Sequence, residues 1–387
     1  MTAGHRVSDD PLASPVLAPR YYTDPAVFEA ERTSVFHASW IYMCHAGEVP
    51  EPGSMLPRTI HGEPLVVVRN REGELRAFHN VCQHRAMQVV KERCRRNVLQ
   101  CPYHGWVYDL DGRLVGARRT AHLEAFDRTS LGLLPVRFAE IDSFVFVNID
   151  GTAPPAEEIF GPVLADARAC GVEPAGLLKA RHIDYEIRAN WKVVIDNFVE
   201  SYHTEVAHPG YCEYADFDRA FVEDGPWHTL MGGPPARHVM ESCRRDGIPG
   251  VTANRYNWAW PTTMVLFSPG PANLFIWEAI PLSWERTVFR HTFFFDRPED
   301  DLLPEQQAHI SMDGALQAED TVLVEGVWQG LKSLAAPRVG RYVVNDGETQ
   351  HSERAVWRFH HRLQGLYDLA GRAEARHPST SPRETVS

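Results

Sequence analysis

Four side chains carry the strongest chemical signal in this chain: Cys82, His84, Cys101 and His104. They read C-x-H, then sixteen residues, then C-x-x-H. Two thiolates and two imidazoles can hold one zinc ion in a tetrahedron. Zinc fingers, however, usually group their cysteines in one pair and their histidines in another. Here each segment supplies one of each. That pattern suits a [2Fe-2S] cluster with both thiolates on one iron and both imidazoles on the other. Neutral imidazoles make such a cluster easier to reduce than an all-cysteine one. It would pass one electron at a time, so the chain is expected to hold an acceptor as well. A colour test separates the two metals, since zinc gives none.

The expected acceptor lies in the segment Asp196 to Pro209. Asn197, Glu200 and His203 follow at i, i+3 spacing, one stripe of a helix. His208 is off that stripe, but Pro209 disfavours the helical conformation at His208. The helix is expected to end there and let His208 turn back towards His203. Two histidines and one carboxylate make a facial triad with open positions on iron(II). Asp320 is the candidate carboxylate. It is read on a long helix in a stripe with Leu316, Leu323 and Val327, facing the core, where a lone Asp needs a cation or donor. Glu319 is the substitute. Glu200, three residues before His203, is read as binding that ring's other nitrogen rather than the metal.

Elements must bring these residues together. The chain has 387 residues, enough for two domains. Hydrophobic residues make up 44 % and charged residues 23 %, the balance of an ordinary globular protein. Net charge is -12, which argues against nucleic acid as a partner. No apolar run reaches membrane-spanning length, and residues Met1 to Arg6 lack a signal-peptide core. Cys44, Cys94, Cys170, Cys212 and Cys243 are scattered, so reduced thiols and a cytoplasmic location are expected. Residues 1–40 are read as an arm, mobile to about residue 20, with a helix from Asp24 to Trp40. Residues 41–155 are read as a small all-β unit, with turns at Asn70–Gly73 and Asp111–Gly112. Residues 156–376 are read as an α+β domain: an antiparallel sheet, a helix from Trp191 to about Ala207, and long helices over 305–334 and 350–369. Residues 377–387 are read as a disordered tail.

At this point the chain resembles the α subunit of a Rieske non-haem iron oxygenase over nearly its whole length. Cys82, His84, Cys101 and His104, with Pro102-Tyr103 and Gly105-Trp106, are similar to the family's cluster loops. Asn197, Glu200, His203 and His208, preceded by Asn190-Trp191-Lys192, are similar to its mononuclear iron motif. Glu319-Asp320, Glu325 and Gln329-Gly330-Leu331 resemble its third-ligand helix. The resemblance implies an N-terminal all-β Rieske domain and a C-terminal helix-grip-like α+β catalytic domain. It implies a homotrimer in which Glu200 links His203 to His104 of a neighbouring subunit. It implies O2 as co-substrate, with electrons from NAD(P)H through a separate flavin- or ferredoxin-type reductase.

The branch it is most similar to acts on quaternary ammonium compounds such as glycine betaine, carnitine, choline and proline betaine. Hydroxylation of an N-methyl group there yields a carbinolamine that loses formaldehyde. Hydroxylation of an aromatic or heteroaromatic ring is the other expectation. Phe275, Trp277, Trp258 and Trp260 are candidates for a cation–π cage, and His291 reads as a satisfied core histidine. The basic run Lys91, Arg93, Arg95 and Arg96 is a candidate docking patch for an acidic reductase.

Overall fold

The computed structural model describes residues 6–216, 219–239, 250–336, 340–344 and 351–376. The expected tail and Cys243 lie outside the described residues.

The N-terminal arm is packed rather than free. Val7, Ser14 and Leu17 are buried, and Trp357 Nε1 donates to the Ser8 carbonyl at 2.9 Å. Its proline-rich composition pointed to mobility, but the apolar residues set among the prolines dock beside Phe359 and Leu363. Helix α1 (Pro25–Glu31) starts as expected, with the Asp24 carboxylate accepting from Ala26 N–H and proline at the first turn. A wider turn over Arg32–His37 follows. Trp40 already belongs to a strand, so the expected helix ends short.

Strand β1 (Trp40–His45) opens the all-β unit. Next come β2 (Ser54–Ile60), β3 (Glu63–Arg69), β4 (Leu75–His79) and the short β5 (Cys94–Arg95), ordered β4-β3-β2-β5. A small sheet of β6 (Leu99–Gln100), β7 (Val107–Tyr108) and β8 (Leu114–Gly116) follows. Strands β9 (Arg137–Ile141) and β10 (Phe144–Asn148) pair back onto β1 in the order β1-β10-β9. Alternation along β3 divides the work of its two faces. Val66 and Val68 pack under Cys82 and Cys101, while Leu65 and Val67 pack against Ile41 and Val145.

Strands β1 and β10 also join the two halves of the chain. Their other face, Trp40, Tyr42, Phe144 and Phe146, packs on helix α2 (Ala156–Ala169). Beyond α2 lies a seven-stranded antiparallel sheet in the order β11-β17-β16-β15-β14-β13-β12. Its strands are β11 (Leu178–Ile187), β12 (Phe221–Asp224), β13 (His228–Gly233), β14 (Asn254–Ala259), β15 (Thr263–Phe267), β16 (Asn273–Ser283) and β17 (Arg286–Phe295). One face, with Val265, Ile276 and Phe294, meets α2. The opposite face, with Met264, Phe275 and Phe293, meets α3 (Trp191–Phe198), α6 (Pro304–Leu331) and α7 (Arg354–Arg376). Between α3 and the sheet's second strand run two single turns, α4 (Thr204–Ala207) and α5 (Pro209–Cys212). The architecture is α+β throughout, with an all-β N-terminal unit.

Candidate functional site

The two Cys–His loops repeat each other. Cys82 N–H donates to the Met87 carbonyl at 2.9 Å, and Ala86 N–H returns to the Cys82 carbonyl at 3.0 Å. Cys101 N–H donates to the Trp106 carbonyl at 2.8 Å, and Gly105 N–H returns to the Cys101 carbonyl at 3.1 Å. Both returning residues are left-handed, Ala86 at φ 56° and Gly105 at φ 71°. Glycine takes that conformation freely, whereas Ala86 is held there against its Cβ. The matched turns bury both cysteines and put both histidines outside. The His84 and His104 Nδ1 atoms converge to 3.1 Å. Trp106 stacks on His84 with centroids 4.8 Å apart, and Tyr108 Oη lies 3.2 Å from Cys82 Sγ. Two inward sulfurs and two convergent imidazole nitrogens fit a two-iron cluster with one ligand pair per iron. Lys91, Arg93 and Arg96 are exposed nearby, while Arg95 is tied to Glu51.

The second centre is built around a helix that stops early. Asn190 Oδ1 caps α3 by accepting Lys192 N–H at 3.0 Å. The helix ends at Phe198 instead of running to Ala207. Glu200 is the physical reason the chain turns there. Its Oε2 accepts the backbone N–H groups of Tyr202 and His203, a side-chain bond that competes with helix continuation. Glu200 and His203 therefore meet through a turn, not along a helical stripe. Glu200 Oε1 lies 2.6 Å from His203 Nδ1. His208 leaves the helical region at φ -124°, ψ 57°, and Pro209 begins the next turn.

The consequence is convergence. His203 Nε2, His208 Nε2 and an Asp320 carboxylate oxygen lie within 4.8 Å of one another. His208 Nε2 is 3.0 Å and His203 Nε2 is 3.5 Å from Asp320 Oδ1. Asn197 Nδ2 donates to the same oxygen at 3.2 Å. Glu319, the substitute candidate, approaches from the other side: its Oε2 is 2.6 Å from His208 Nδ1. Each histidine thus has its Nδ1 held by a glutamate and its Nε2 aimed at Asp320. Such outer carboxylates fix the tautomer and orientation of metal-binding imidazoles. The donor set fits a divalent iron with open positions. Electrostatics agree. Burial pulls the His203 ring down, but hydrogen bonds to Asp320 and Glu200 outweigh it and lift it to about 9. Burial pushes Asp320 up, and the two histidines override it, to about 2. Without metal the trio is a charged cluster held by shared protons, which a cation would replace.

The expected stripe on α6 needs correcting. The buried positions are Gln306, His309, Asp313, Gln317, Val324 and Trp328. At about 100° per residue, Asp320 falls inside that stripe, between the directions of His309 and Asp313. Val327 falls at its edge and Leu323 about 40° outside it, and both are exposed. Asp320 therefore belongs to a polar-lined buried face, not to an apolar stripe with Leu323 and Val327.

Above the three ligand atoms opens a pocket with about 890 Å³ of empty space, part of it open to solvent. Phe275, Trp277 and Phe289 line it, with Leu266 and Leu316. Trp258 and Trp260 do not; they pack in the core against Phe359. The pocket also contains Asp313, which sequence reasoning passed over. Its signal was available: it stands seven residues before Asp320, on the same line of α6. His291 is wholly buried and bonded to Asp313 through Nδ1 at 2.9 Å. Its Nε2 has no partner among the described residues, so it is only half satisfied.

Comparison with known families decides the class. Residues 39–127 match the Rieske [2Fe-2S] domain, and residues 175–368 match the catalytic domain of the ring-hydroxylating α subunit. The chain is a Rieske oxygenase α subunit. This oxygenase is 34 % identical to the carnitine monooxygenase oxygenase subunit of Acinetobacter baumannii, over 93 % of its length and 98 % of that protein. It is 29 % identical to the chloroplastic choline monooxygenase of Beta vulgaris, over 84 % of its length and 72 % of that protein. It superposes on a quaternary ammonium Rieske monooxygenase solved with L-carnitine at TM-score 0.81 and 30 % identity, covering 92 % of this chain and 97 % of that one. Naphthalene 1,2-dioxygenase with indole shares the fold at TM-score 0.75 and 19 % identity, over 97 % of this chain and 98 % of that one. A Rieske oxygenase carries a [2Fe-2S] cluster and a mononuclear iron, and draws on O2 and a reductase. No helix among the described residues of this oxygenase is long and apolar enough to cross a membrane.

Proposed function

We propose that this oxygenase hydroxylates a carbon on the nitrogen of a small quaternary ammonium compound, an N-methyl group in the first instance. The observation that carries the reading is its relationship to carnitine oxygenase subunits over 93 % of the chain. The aromatic pocket supports it, since π faces attract quaternary ammonium groups. The likeness to naphthalene dioxygenase extends to the fold alone and lends ring hydroxylation no support.

In this reading Cys82, Cys101, His84 and His104 hold the cluster, and His203, His208 and Asp320 hold the iron. The cluster supplies single electrons and the iron the reactivity of O2. The chain's own residues supply order. Glu200 and Glu319 fix the two imidazoles, and the Asn197 amide steadies the Asp320 oxygen that faces both. Phe275, Trp277, Phe289 and Leu266 line the pocket with apolar surface that excludes water. An N-methyl group, O2, two electrons and two protons give the carbinolamine and water; the carbinolamine then releases formaldehyde and a proton.

Three finer features belong to the same proposal: a homotrimer, a cytoplasmic setting, and a separate reductase fed by NAD(P)H and flavin. Glu200 sits where it can link His203 to His104 of a neighbouring subunit, and the outward-facing His84–His104 edge supports that contact. Exposed Lys91, Arg93 and Arg96 offer an acidic reductase a docking patch. Reversing two of these charges is expected to slow reductase-driven turnover and flatten its salt dependence. The reaction itself is tested by O2 uptake with a panel of quaternary ammonium compounds, measuring formaldehyde. Uptake with formaldehyde supports N-demethylation. Uptake without it moves the oxidation to another carbon. Stimulation by aromatic rings alone overturns the reading.

A further inference from the structure

The pocket holds one carboxylate that the metal site does not use. Its lining carboxylates, among the described residues, are Glu200, Asp313 and Asp320. Glu200 and Asp320 are engaged with His203 and His208. Asp313 is 6 % exposed and belongs to neither partner. It stands two turns back from Asp320 on α6. Seven residues of helical rise separate the two by about 10 Å along the axis.

Two side chains hold the carboxylate in place. His291 Nδ1 lies 3.0 and 2.9 Å from its two oxygens, and Tyr185 Oη donates to it at 3.3 Å. The His291 ring is fully buried, with Nε2 unpartnered among the described residues. Tyr185 and His291 thus hold the Asp313 carboxylate at the wall of the pocket it lines. His309, another pocket imidazole, adds no opposing charge near pH 7, because burial holds it down to about 4.

Aromatic surface lies beside this charge. Trp277 and His291 are cross-strand partners of β16 and β17. Their rings stack at 3.8 Å with an interplanar angle of 2°. Trp277, Phe275 and Phe289 all face the pocket. A carboxylate held by buried donors next to indole and phenyl rings is the environment a weakly hydrated cation prefers. The rings meet its methyl shell and the carboxylate meets its charge.

We propose that Asp313, oriented by His291 and Tyr185, is the specificity-determining anion that seats the substrate's ammonium head beside Trp277. The inference rests on the quaternary ammonium reading and names the residues that enforce it.

Calorimetric titration of the holoenzyme, without reductase, tests it. The probes are choline, glycine betaine, L-carnitine and γ-butyrobetaine. Each is run beside the uncharged analogue in which carbon replaces the ammonium nitrogen. The wild type is expected to bind at least one cation more tightly than its analogue. Asp313→Asn should reduce that preference about ten-fold or more while binding the uncharged analogue as before. Asp313→Glu should retain part of the preference. A merely structural role would weaken cation and analogue alike. Cluster colour and melting temperature report whether each variant is folded. Should Asp313→Asn not fold, His291→Gln takes its place, with a smaller loss of preference expected. Preference unchanged in the folded variant overturns the assignment of Asp313. A wild type that prefers none of the cations overturns the quaternary ammonium reading itself.

Discussion

Asp320 and Glu319 are neighbours in sequence, yet they meet His208 on opposite nitrogens of its ring. In the proposed site that difference would separate holding a metal from holding a ligand. Asp320→Ala is expected to abolish mononuclear iron while the visible cluster spectrum persists. Glu319→Gln should keep the iron but weaken its retention about ten- to a hundred-fold. Iron analysis after dialysis against a chelator distinguishes them; equal loss in both would contradict the division of roles. Spacing in the sequence pairs His203 with His208, whereas Asp320 comes from a helix stripe and the family resemblance, with Glu319 left open. The second carboxylate was not legible, because which face of an imidazole a glutamate reaches depends on tertiary packing. Protonation sets another residue-scale expectation. Burial, then the charges of Arg58 and His37, holds His61 down to about 3. Burial holds His309 at about 4. Unfolded histidine titrates near 6.5. Between these values the unfolded chain binds protons that the folded chain refuses. Stability is therefore full above about 6.5 and falls as pH drops towards 4, by about 1.4 kcal/mol per pH unit for each group. Melting followed by circular dichroism from pH 7 to pH 5 should show the decline. His61→Gln and His309→Gln should each flatten it.

Among elements, α3 matters most, because the metal site begins where it ends. Its first turn is anchored by a wholly buried pair, Lys192 Nζ to Glu31 Oε1 at 2.7 Å. Trp191 Nε1 donates to Glu31 Oε2 at 2.8 Å, and Tyr367 also donates to Glu31. One carboxylate on α1 thus ties together α1, α3 and α7. Burial lowers the affinity of Lys192 for its proton and Glu31 opposes that. The pair is strongly coupled, so removing one partner strands the other. Lys192→Met is expected to destabilise by about 3–5 kcal/mol, read as a lower melting temperature. Glu31→Gln added to Lys192→Met should recover much of it, because no buried charge is then left alone. The antiparallel sheet and both long helices were legible, since β15, β16 and β17 are runs of apolar and aromatic residues and α6 is built mainly of helix formers. The break after Phe198 was not. No proline or glycine marks it, and it depends on Glu200 bonding to its own backbone neighbours. The docked arm escaped for a related reason: its composition is that of a loop, and only contact with α7 orders it.

At the scale of the molecule, two features of one chain call for a second. The imidazole edge of the cluster faces outward at His84 and His104. Around the iron site, Val206 is 89 % exposed and Val322 72 %, with Tyr202, Leu323 and Val327 also open. Scattered apolar residues on a surface need no explanation by themselves; Val206 on α4 and Val327 on α6 are candidates for the contact in the proposed trimer. A contact between two different patches propagates from copy to copy unless rotation closes it. The proposed ring of three would close it and would set each Glu200 near the His104 of a neighbouring subunit. Light scattering on the purified oxygenase is therefore expected to give three times the chain mass. Val206→Glu with Val327→Glu introduces like charges into a closed interface and should give monomers. Those monomers should keep both metals and their melting behaviour, yet lose substrate-stimulated O2 uptake driven by reductase, because cluster and iron would no longer meet. A double variant that remains trimeric would move the interface elsewhere. Monomers with undiminished turnover would mean that the two centres of a single chain suffice.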